Sequence, residues 1–305
     1  MLIKQPTDPI AVESLKILLY GQPGVRKTSW SFSAKNPLLL DFDNGVKRVA
    51  PKFRGAYVSI KSWDDINGLF DAKTDLSAYD TVIIDTAGKA LDSLSQKIMK
   101  DDTRLRRKDG ALSIQGFGVL GLRFKDFMNR LSDLGKHIVL IAHDKEAKNG
   151  DETVIRPDIT GQSMANVMRE VDLCGYMRAH NNKCTVTFNP SDNFYGKNTC
   201  GLPEFLEVET TLLSDVIDQA LKNMNDDTEL YKQYLEQINK VTASLSVCEN
   251  ADDLNQAKVV IMAIEFVSDA KAQAANMMMA KATELKCIMD KKTKLFQDAK
   301  SSVPA

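Results

Sequence analysis

The chain has 305 residues, of which 43% are hydrophobic and 27% are charged, and its formal net charge is -1. This composition is typical of a soluble globular protein, and the length allows one α/β domain of about 200 residues with a smaller appendage. The balanced charge excludes a surface that is basic throughout, so any contact with nucleic acid must come from a local patch.

The cysteines predict a reducing compartment. The chain has 5 of them, widely spaced and without a CxxC pair, which argues against a disulfide scaffold and against a zinc site. The first residues do not contain a basic segment followed by an apolar run, and no apolar stretch approaches the roughly 20 residues that span a bilayer. We therefore expect a cytoplasmic protein without a membrane segment. The cysteines are Cys174, Cys184, Cys200, Cys248 and Cys287.

Short apolar runs alternate with helical patterns along the first half of the chain. Buried strands are predicted at 15–20, 37–43, 56–60, 81–85 and 137–142, and helices at 27–34, 63–70, 90–100 and 119–134. The strands are apolar throughout rather than alternating in polarity, which is typical of a parallel sheet covered by helices on both faces. A charged loop at 101–116 separates two of the helices.

The pattern changes along the second half. Residues 144–165 are polar and rich in turn formers, and two strands at 171–179 and 184–190 are predicted to form a hairpin through Asn181 and Asn182.

After about residue 213 the sequence is predominantly helical. One helix is predicted over 230–245 and a second, starting with the capping pair Asn250 and Asp253, up to about Met289. We expect a lead-in at 1–13, an α/β domain at 14–213 and a C-terminal helical hairpin at 214–305.

A phosphate-binding loop is predicted between the first strand and the first helix. The segment GQPGVRKT matches the pattern G-x-x-x-x-G-K-[ST] except at the last glycine. In loops of this kind, backbone amides point at a β-phosphate and the helix N-terminus adds its positive end. Lys27 would bridge the β- and γ-phosphates, and the Thr28 hydroxyl would bind magnesium. The sequence thus predicts a site for ATP with Mg²⁺. Its residues are Gly21, Gln22, Pro23, Gly24, Val25, Arg26, Lys27, Thr28 and Ser29.

Arg26 departs from this pattern because it occupies the place of the last glycine. Its side chain must turn away from the nucleotide, or it crowds the pocket, or it adds a positive charge to the triphosphate. The remaining alternative is a degenerate loop that no longer binds nucleotide. The preceding strand, the following helix and the intact Lys27-Thr28 pair favour binding. They support hydrolysis less directly than binding.

Acidic residues at strand ends could complete the site. Asp85 ends an apolar strand and could hold magnesium through water, or it could cap the helix that follows. Thr86 stands where a second acid could polarise water, so Asp41 and Asp43 remain as candidates for the base, or they are ordinary solvated acids. His143, at the end of another strand, could sense the γ-phosphate or be merely structural.

Several segments in this order resemble the RecA superfamily, and most closely the phage-encoded, single-strand-annealing-associated ATPases of the Sak group. The resemblance covers roughly residues 14–206 and implies a RecA-like P-loop NTPase core. The matching segments are LLYGQPGVRKTS, LLLDFDNGVKR, TVIIDTAGKAL, GFGVLGLRFKDFM, HIVLIAHDKE, PDITGQSMANVMREVDLCGYM and KNTCGLPEF.

The resemblance also implies roles for individual residues. Asp43 takes the place of the catalytic acid, usually a glutamate, and Asp85 that of the magnesium-site aspartate. His143 matches the polar switch residue that couples the γ-phosphate to DNA. Lys197 resembles a basic residue that reaches a nucleotide, in its own or a neighbouring subunit. We therefore expect Asp43, His143 and Lys197 to be catalytic residues.

The loops at 101–116 and 144–163 correspond to the DNA-facing loops of these relatives. Their basic residues would give salt-dependent contacts with phosphates. The alternative is a solvated loop in which neighbouring acids, such as Asp101, Asp102 and Asp109, offset the charge. Single-strand binders also use aromatic platforms, and Phe117 is the nearest aromatic residue to the first loop. The basic residues are Arg104, Arg106, Arg107 and Lys108, then Lys145, Lys148 and Arg156.

Together these features favour an ATP-dependent DNA recombination protein that acts on single-stranded DNA in a bacterial host cell. It would act alone or with an annealing or single-strand-binding protein, with ATP at a subunit boundary of a ring or filament. The alternative is a nucleotide-gated module with little turnover whose C-terminal helices recruit a replication or recombination partner. A small-molecule kinase is disfavoured because no arginine-bearing lid is evident.

Overall fold

The structure is a computed structural model that describes residues 11–71, 74–149, 152–160, 162–181, 183–225, 229–267, 270–290 and 293–298. Contacts divide the chain into one compact unit over Val12–Met224 and a second that contains the residues from Asn225 onward. The first unit extends beyond residue 213 because the buried side chains of the helix that follows, Leu213 and Val216 among them, join its core.

A mixed sheet forms the centre of the first unit. Its strands are β1 (Lys16–Gly21), β2 (Pro37–Asp41), β3 (Ala56–Ser59), β4 (Thr81–Asp85), β5 (His137–Ala142), β8 (Leu173–His180), β9 (Lys183–Thr187), β10 (Lys197–Asn198) and β11 (Leu206–Glu207). The numbers β6 and β7 belong to a separate hairpin, Asp144–Asn149 and Glu152–Pro157.

The strand order β11-β9-β8-β1-β5-β4-β2-β3 is that of an α/β fold. The strands from β8 to β3 in this order are parallel, whereas β9, β10 and β11 pair antiparallel at the β8 end. The predicted, mostly parallel sheet is therefore confirmed.

The register brings the carboxyl ends of the central strands to one edge. Tyr20 of β1 pairs with Ala142 of β5, and Asp85 of β4 pairs with Ile141 of β5 and with Asp41 of β2. In parallel sheets this edge is where ligands bind, since the loops that follow the strands converge there.

Helices cover the sheet on both faces. They are α1 (Lys27–Ser31), α2 (Trp63–Gly68), α3 (Ala87–Asp101), α4 (Ile114–Asp133), α5 (Gln162–Glu170) and α6 (Leu213–Asn225). Leu18 and Tyr20 of β1 belong to one buried cluster, and Ile17 and Leu19 belong to the cluster on the opposite face. Because both faces are buried, the side chains of both alternating sets are apolar, which explains the continuous apolar run.

Helix α4 begins five positions earlier than the predicted start at 119. The Ser113 hydroxyl accepts a hydrogen bond from Gly116 N at 3.1 Å, which caps the first turn. The first turns contain Gly116 and Gly118, which weaken the helical signal because glycine is a poor helix former.

The prediction of a turn-rich segment at 144–165 is wrong for most of its length. Strands β6 and β7 pair antiparallel as a hairpin, in which Asp144 pairs with Pro157 and Lys148 with Thr153. Both strands contain charged residues, and β6 has only one apolar residue, so the strands lack the apolar pattern that would have indicated them. The β8–β9 hairpin is confirmed, although Asn182 of its predicted turn lies outside the described residues.

The second unit is helical, as predicted, but its second helix is interrupted. It contains α7 (Glu229–Ser246), α8 (Ala251–Met262) and α9 (Ala270–Glu284), followed by the paired strands β12 (Cys287–Met289) and β13 (Phe296–Asp298). The Asn250 side chain caps α8 by accepting a bond from Asp253 N at 3.0 Å.

The break after α8 follows from Gln237 of α7. Its amide nitrogen donates to Glu265 O at 2.9 Å and its oxygen accepts from Val267 N at 3.0 Å. These bonds satisfy backbone groups that a continuous helix would have paired internally. A single helix up to Met289 is thus a wrong prediction.

The cysteines are all buried free thiols. Within the described ranges, no helix combines the length and apolar character that a membrane span requires.

Candidate nucleotide-binding site

The loop after β1 forms a cavity of about 400 Å³ at the carboxyl edge of the sheet. Gly21 is required because an added Cβ would collide with the carbonyl oxygen of Met177. Gly24 has a φ of 90°, and nothing lies within 4 Å of where its Cβ would be, so this part of the loop is open. The cavity is lined by Pro23, Gly24, Arg26, Lys27, Thr28, Ser29, Asp43, Gly45, Arg48, Val49, Asp85, Ile141 and His143.

Lys27 is buried beneath this loop. Its ammonium donates to Gly21 O at 2.6 Å and to Gln22 O at 2.8 Å. Burial lowers its pKa to about 8, although Asp85 and Asp144 act in the opposite direction. Among the described residues, Lys27 has no ion-pair partner within salt-bridge distance. A buried ammonium held by neutral carbonyls favours the arrival of an anion.

Thr28 and Asp85 meet across the sheet edge. The Thr28 hydroxyl donates to Asp85 Oδ2 at 2.6 Å. Burial raises the pKa of Asp85 to about 6, and Asp43 and Asp41 raise it further, while the Thr28 bond and Lys27 lower it. A hydroxyl beside a carboxylate is a suitable oxygen donor set for Mg²⁺, which normally takes its other ligands from phosphates and water. The described ranges contain no cluster of three or more acidic, His or Cys side chains that could hold a metal ion.

Arg26 adopts the left-handed conformation, with a φ of 63°. Its guanidinium forms an ion pair with Glu209, at 3.2 Å between Nη1 and Oε1. The Glu209 carboxylate also accepts a hydrogen bond from Cys184 N at 3.0 Å. Of the alternatives raised by the sequence, this geometry matches a side chain that turns away from the place of the nucleotide, toward Glu209.

Asp43 has one oxygen in use and one without a partner. Oδ2 accepts from Arg48 Nη2 at 2.9 Å, whereas Oδ1 is buried and makes no hydrogen bond with any described residue. Gly45 permits this arrangement because a Cβ there would collide with Asp43 Oδ1 and with the Arg48 guanidinium. A buried oxygen without a partner in a polar cavity is suited to bind water or a ligand group.

Asp41 is used differently. Its Oδ1 accepts from Gly45 N at 2.8 Å and its Oδ2 from Val46 N at 3.1 Å, so both oxygens hold the turn after β2. Of the two acids that the sequence left open, Asp43 lines the cavity and Asp41 shapes the loop that carries it.

His143 lies at the cavity, directly after β5. Partial burial and the nearby Lys27 lower its pKa, so the imidazole is neutral at pH 7 and can donate or accept a hydrogen bond. Its carbonyl oxygen accepts from Asp158 N at 2.7 Å, which links the cavity to the chain just beyond β7.

Lys197 does not reach this cavity. It pairs with Cys174 near the amino end of β8, and its ammonium donates to Val171 O at 2.6 Å and Met168 O at 3.1 Å. These carbonyls lie at the C-terminal end of α5, so Lys197 stabilises that helix end. This end of β8 lies at the opposite edge of the sheet from Gly21. The expectation that it contacts the nucleotide bound by its own chain is therefore corrected.

Two of the four basic residues of the first expected DNA-facing loop form ion pairs within the loop. Arg104 binds Asp102 at 2.8 Å, and Arg107 binds Asp109 at 2.8 Å. Within the described part of the chain, Arg106 and Lys108 make no ion pair. This arrangement matches the solvated alternative for two of the four residues.

The second loop also leaves two basic residues without an ion pair among the described residues. Lys145 lies 3.8 Å from Asp158, whereas Lys148 and Arg156 line a separate groove beside the 190–196 segment. Lys148 and Arg156 thus line a different cavity from the one formed by the loop after β1.

Sequence reasoning missed Arg48 and Glu209. Arg48 follows Asp43 within the quoted LLLDFDNGVKR segment, so its proximity could have been inferred from a tight turn. Glu209 is far away in the chain and carries no local signal.

Three features define a P-loop NTPase fold of the RecA-like kind. They are the sheet order, the glycine-containing loop between β1 and α1, and Asp85 at the end of β4, which β5 separates from β1. Residues 13–200 match the family described as AAA domain, and the chain belongs to this family.

One curated relative is the SPbeta prophage-derived uncharacterized protein YorG of Bacillus subtilis (strain 168). It is 27% identical over 166 residues, which cover 48% of each protein. The chain thus spans about half the length of the curated relative it matches.

Two solved structures match part of this chain at low sequence identity. The flagellar accessory protein FlaH from Methanocaldococcus jannaschii has 9% identity and a TM-score of 0.37, with 66% of this chain and 85% of FlaH covered. The KaiC-like protein PH0186 from Pyrococcus horikoshii OT3 has 11% identity and a TM-score of 0.34, with 57% and 77% covered.

Proposed function

We propose that this protein binds ATP with Mg²⁺ in the cavity formed by residues 21–29 and hydrolyses it. The observation that carries the proposal is the convergence of Lys27, Thr28 and Asp85 on one cavity. The open loop amides and the Lys27 ammonium would bind the phosphates. Thr28 and Asp85 would hold Mg²⁺, which supplies charge neutralisation of the phosphates.

Asp43 is the proposed base. Its unpartnered Oδ1 would accept a proton from a water molecule as the water oxygen attacks the γ-phosphorus. The bond from that phosphorus to the bridging oxygen breaks, and ADP and phosphate leave. Lys27 would stabilise the charge that develops on the phosphate oxygens, and a neutral His143 would donate a hydrogen bond to the γ-phosphate.

The finer part of the proposal is a Sak-type, phage-type recombination protein that acts on single-stranded DNA. The order of the matching segments and the similarity to a prophage-derived protein support it. We further propose assembly as a ring or filament, acting with an annealing or single-strand-binding protein in the host cytoplasm. Nucleotide state would reach DNA through His143, whose carbonyl holds Asp158 beside the basic hairpin.

Nucleotide binding is tested by calorimetry with MgATP and a slowly hydrolysed analogue. Lys27→Ala should abolish binding, because the buried cation is removed from the cavity. Lys35→Ala is the matched control, since Lys35 is 72% exposed in its side chain and pairs with Asp80 at the opposite strand end. Unchanged affinity in Lys27→Ala, or no heat of binding with the wild type, would refute the site.

A second candidate is a nucleotide-gated module with little turnover that recruits a partner through its C-terminal helices. The exposed apolar side chains of α8 favour it: Val259 is 73%, Val260 59% and Met262 68% exposed. Hydrolysis measured with and without single-stranded DNA separates the two. Stimulation by DNA supports the recombination protein, and slow turnover that DNA does not change supports the module.

A further inference from the structure

A groove of about 620 Å³ lies between the β6–β7 hairpin and the segment 190–196. Its size falls within the usual range for small-molecule sites, and it is larger than the cavity at the phosphate loop. Lys148 and Arg156 contribute from the hairpin, and Asp192, Phe194 and Tyr195 contribute from the opposite wall.

Backbone hydrogen bonds hold the two walls together. Ile155 N donates to Asn193 O at 2.8 Å, and Tyr195 N donates to Ile155 O at 3.1 Å. These backbone hydrogen bonds fix the hairpin and the segment 190–196 relative to each other, so the fold itself determines the shape of the groove.

The two aromatic residues have different surroundings. Phe194 packs on Tyr176 with ring centroids 5.1 Å apart, which anchors the segment to the sheet. Tyr195 follows it directly and is 44% exposed, so its ring offers a free face. An exposed aromatic side chain on an anchored segment is the kind of platform on which nucleic-acid bases stack.

The residues that line the groove include two cations and one acid, so the lining has a net positive charge. Arg156 has a buried Nε with no hydrogen-bond partner among the described residues, so a donor in the groove lacks an acceptor. Lys148 adds a second cation and Asp192 offsets one of the two. Lys145, opposite Arg156 in the hairpin, is already near Asp158. An anionic ligand with oxygen acceptors would satisfy both the charge and the free donor.

We propose that this groove binds nucleotides of single-stranded DNA, with a base stacked on Tyr195 and the phosphates bound by Lys148 and Arg156. The inference rests on the proposed function, since it names the surface on which the DNA of that function would lie. It adds Tyr195 and the 190–196 segment to the second of the two loops, 144–163, that the resemblance assigned to DNA.

The groove is also connected to the phosphate loop. The Tyr20 hydroxyl donates to Tyr195 O at 2.6 Å, and Tyr20 directly precedes Gly21. Burial raises the pKa of Tyr20 far above its usual value, so the hydroxyl keeps the proton that it donates. A movement of the loop on nucleotide binding would therefore be transmitted to the wall that carries Tyr195.

The test is fluorescence anisotropy of a labelled oligo-dT with the full chain in the presence of MgATP. Tyr195→Ala should weaken binding about 10-fold or more, and Tyr195→Phe, which keeps the ring, should stay within about twofold of the wild type. Lys148→Ala should weaken binding and reduce the slope of log affinity against log salt by about one. Phe53→Ala is the control, because Phe53 is a similarly exposed aromatic (51%) outside the groove.

A second measurement does not depend on variants. An oligonucleotide with bromodeoxyuridine, photo-crosslinked to the wild type, should attach within residues 190–196. Two results would contradict DNA binding in the groove and leave the proposed function intact. One is unchanged DNA affinity in both Tyr195→Ala and Lys148→Ala, and the other is crosslinking only outside residues 190–196. A wild type that binds MgATP but neither single-stranded DNA nor an oligo-U control would overturn both the groove assignment and the single-stranded DNA part of the proposed function, while ATP binding would stand. Tighter binding of oligo-U than of oligo-dT would overturn the assignment to DNA.

Discussion

The ion pair between Arg26 and Glu209 joins the phosphate loop to the segment that follows β11. Arg26 holds a left-handed conformation that costs a residue with a side chain about 1–2 kcal/mol. The pair is partly exposed, at 54% and 29% of the two side chains, so it offsets at most about 1 kcal/mol of that cost. The loop is therefore held in its shape partly by a contact that is distant in sequence.

The first prediction concerns this strain. Arg26→Gly should be more stable than Arg26→Ala by about 1 kcal/mol, because both lose the ion pair but only glycine relieves the left-handed backbone. The free energies of unfolding from urea titrations of the two variants give the difference. Equal stabilities would show that the conformation at position 26 carries no strain.

The ion pair between Arg26 and Glu209 also predicts an effect on the affinity for MgATP. Glu209→Ala frees the Arg26 guanidinium, which can then turn to the triphosphate and should raise MgATP affinity by about fivefold at low salt. In an Arg26→Gly background the Glu209 substitution should have no effect, since its partner is gone. An equal change in both backgrounds would mean that Glu209 acts through another contact.

The second prediction is a pH window for nucleotide binding. Asp85 has a pKa of about 6 and Lys27 of about 8. Below about 6 the carboxylate becomes protonated and loses the cation, and above about 8 the ammonium loses the charge that binds phosphate. Affinity for MgATP should therefore be highest between these values and fall on both sides.

Two variants show which residue causes the acid decline and which causes the alkaline decline of MgATP affinity. Lys27→Arg keeps its charge at all these pH values, so the alkaline decline should disappear. Asp85→Asn cannot titrate, so any acid decline that remains belongs to the phosphate groups of the nucleotide, which titrate near about pH 6. A flat profile for the wild type from about pH 5 to about pH 9 would contradict the proposed roles.

The third prediction separates Asp43 from Asp41. Asp43→Asn should bind MgATP but turn it over about 10²–10⁴-fold more slowly, since an amide cannot take the proton from water. Asp41→Asn should instead lower stability, because the amide offers one acceptor where two backbone N–H groups now bind. Unfolding titrations and single-turnover hydrolysis of both variants provide the comparison, and the reverse pattern would exchange the roles.

The fourth prediction concerns Lys197. Its ammonium satisfies two carbonyls at the end of α5, so Lys197→Ala should cost about 1–2 kcal/mol of stability and leave MgATP affinity unchanged. Thermal unfolding and calorimetry measure the two effects. A loss of affinity without a loss of stability would restore the role that the resemblance implied.

The sequence predicts the parallel sheet well because β1, β4 and β5 are buried on both faces, which leaves an unbroken apolar signal. The phosphate loop is similarly local, since all its residues lie within one short segment. Asp43 was identified as a candidate, but its free oxygen could not be inferred, because that state depends on Gly45 and on the direction of the Arg48 side chain.

The wrong predictions share a different cause. The β6–β7 hairpin has charged residues on both strands, so its pairing leaves no apolar pattern to detect. The break after α8 depends on Gln237 of another helix, and the position of Lys197 depends on the antiparallel pairing of β10. Contacts between residues that are distant in the chain decide each of these features.

The insertion of β5 between β1 and β4 fixes a distance within the site. Strands β1 and β4 are two strand spacings apart, which is a distance of about 10 Å. The first turn of α1 spans that distance, because it brings the Thr28 hydroxyl to 2.6 Å from Asp85 Oδ2. A magnesium ion held by this pair would therefore connect two strands that do not pair with each other.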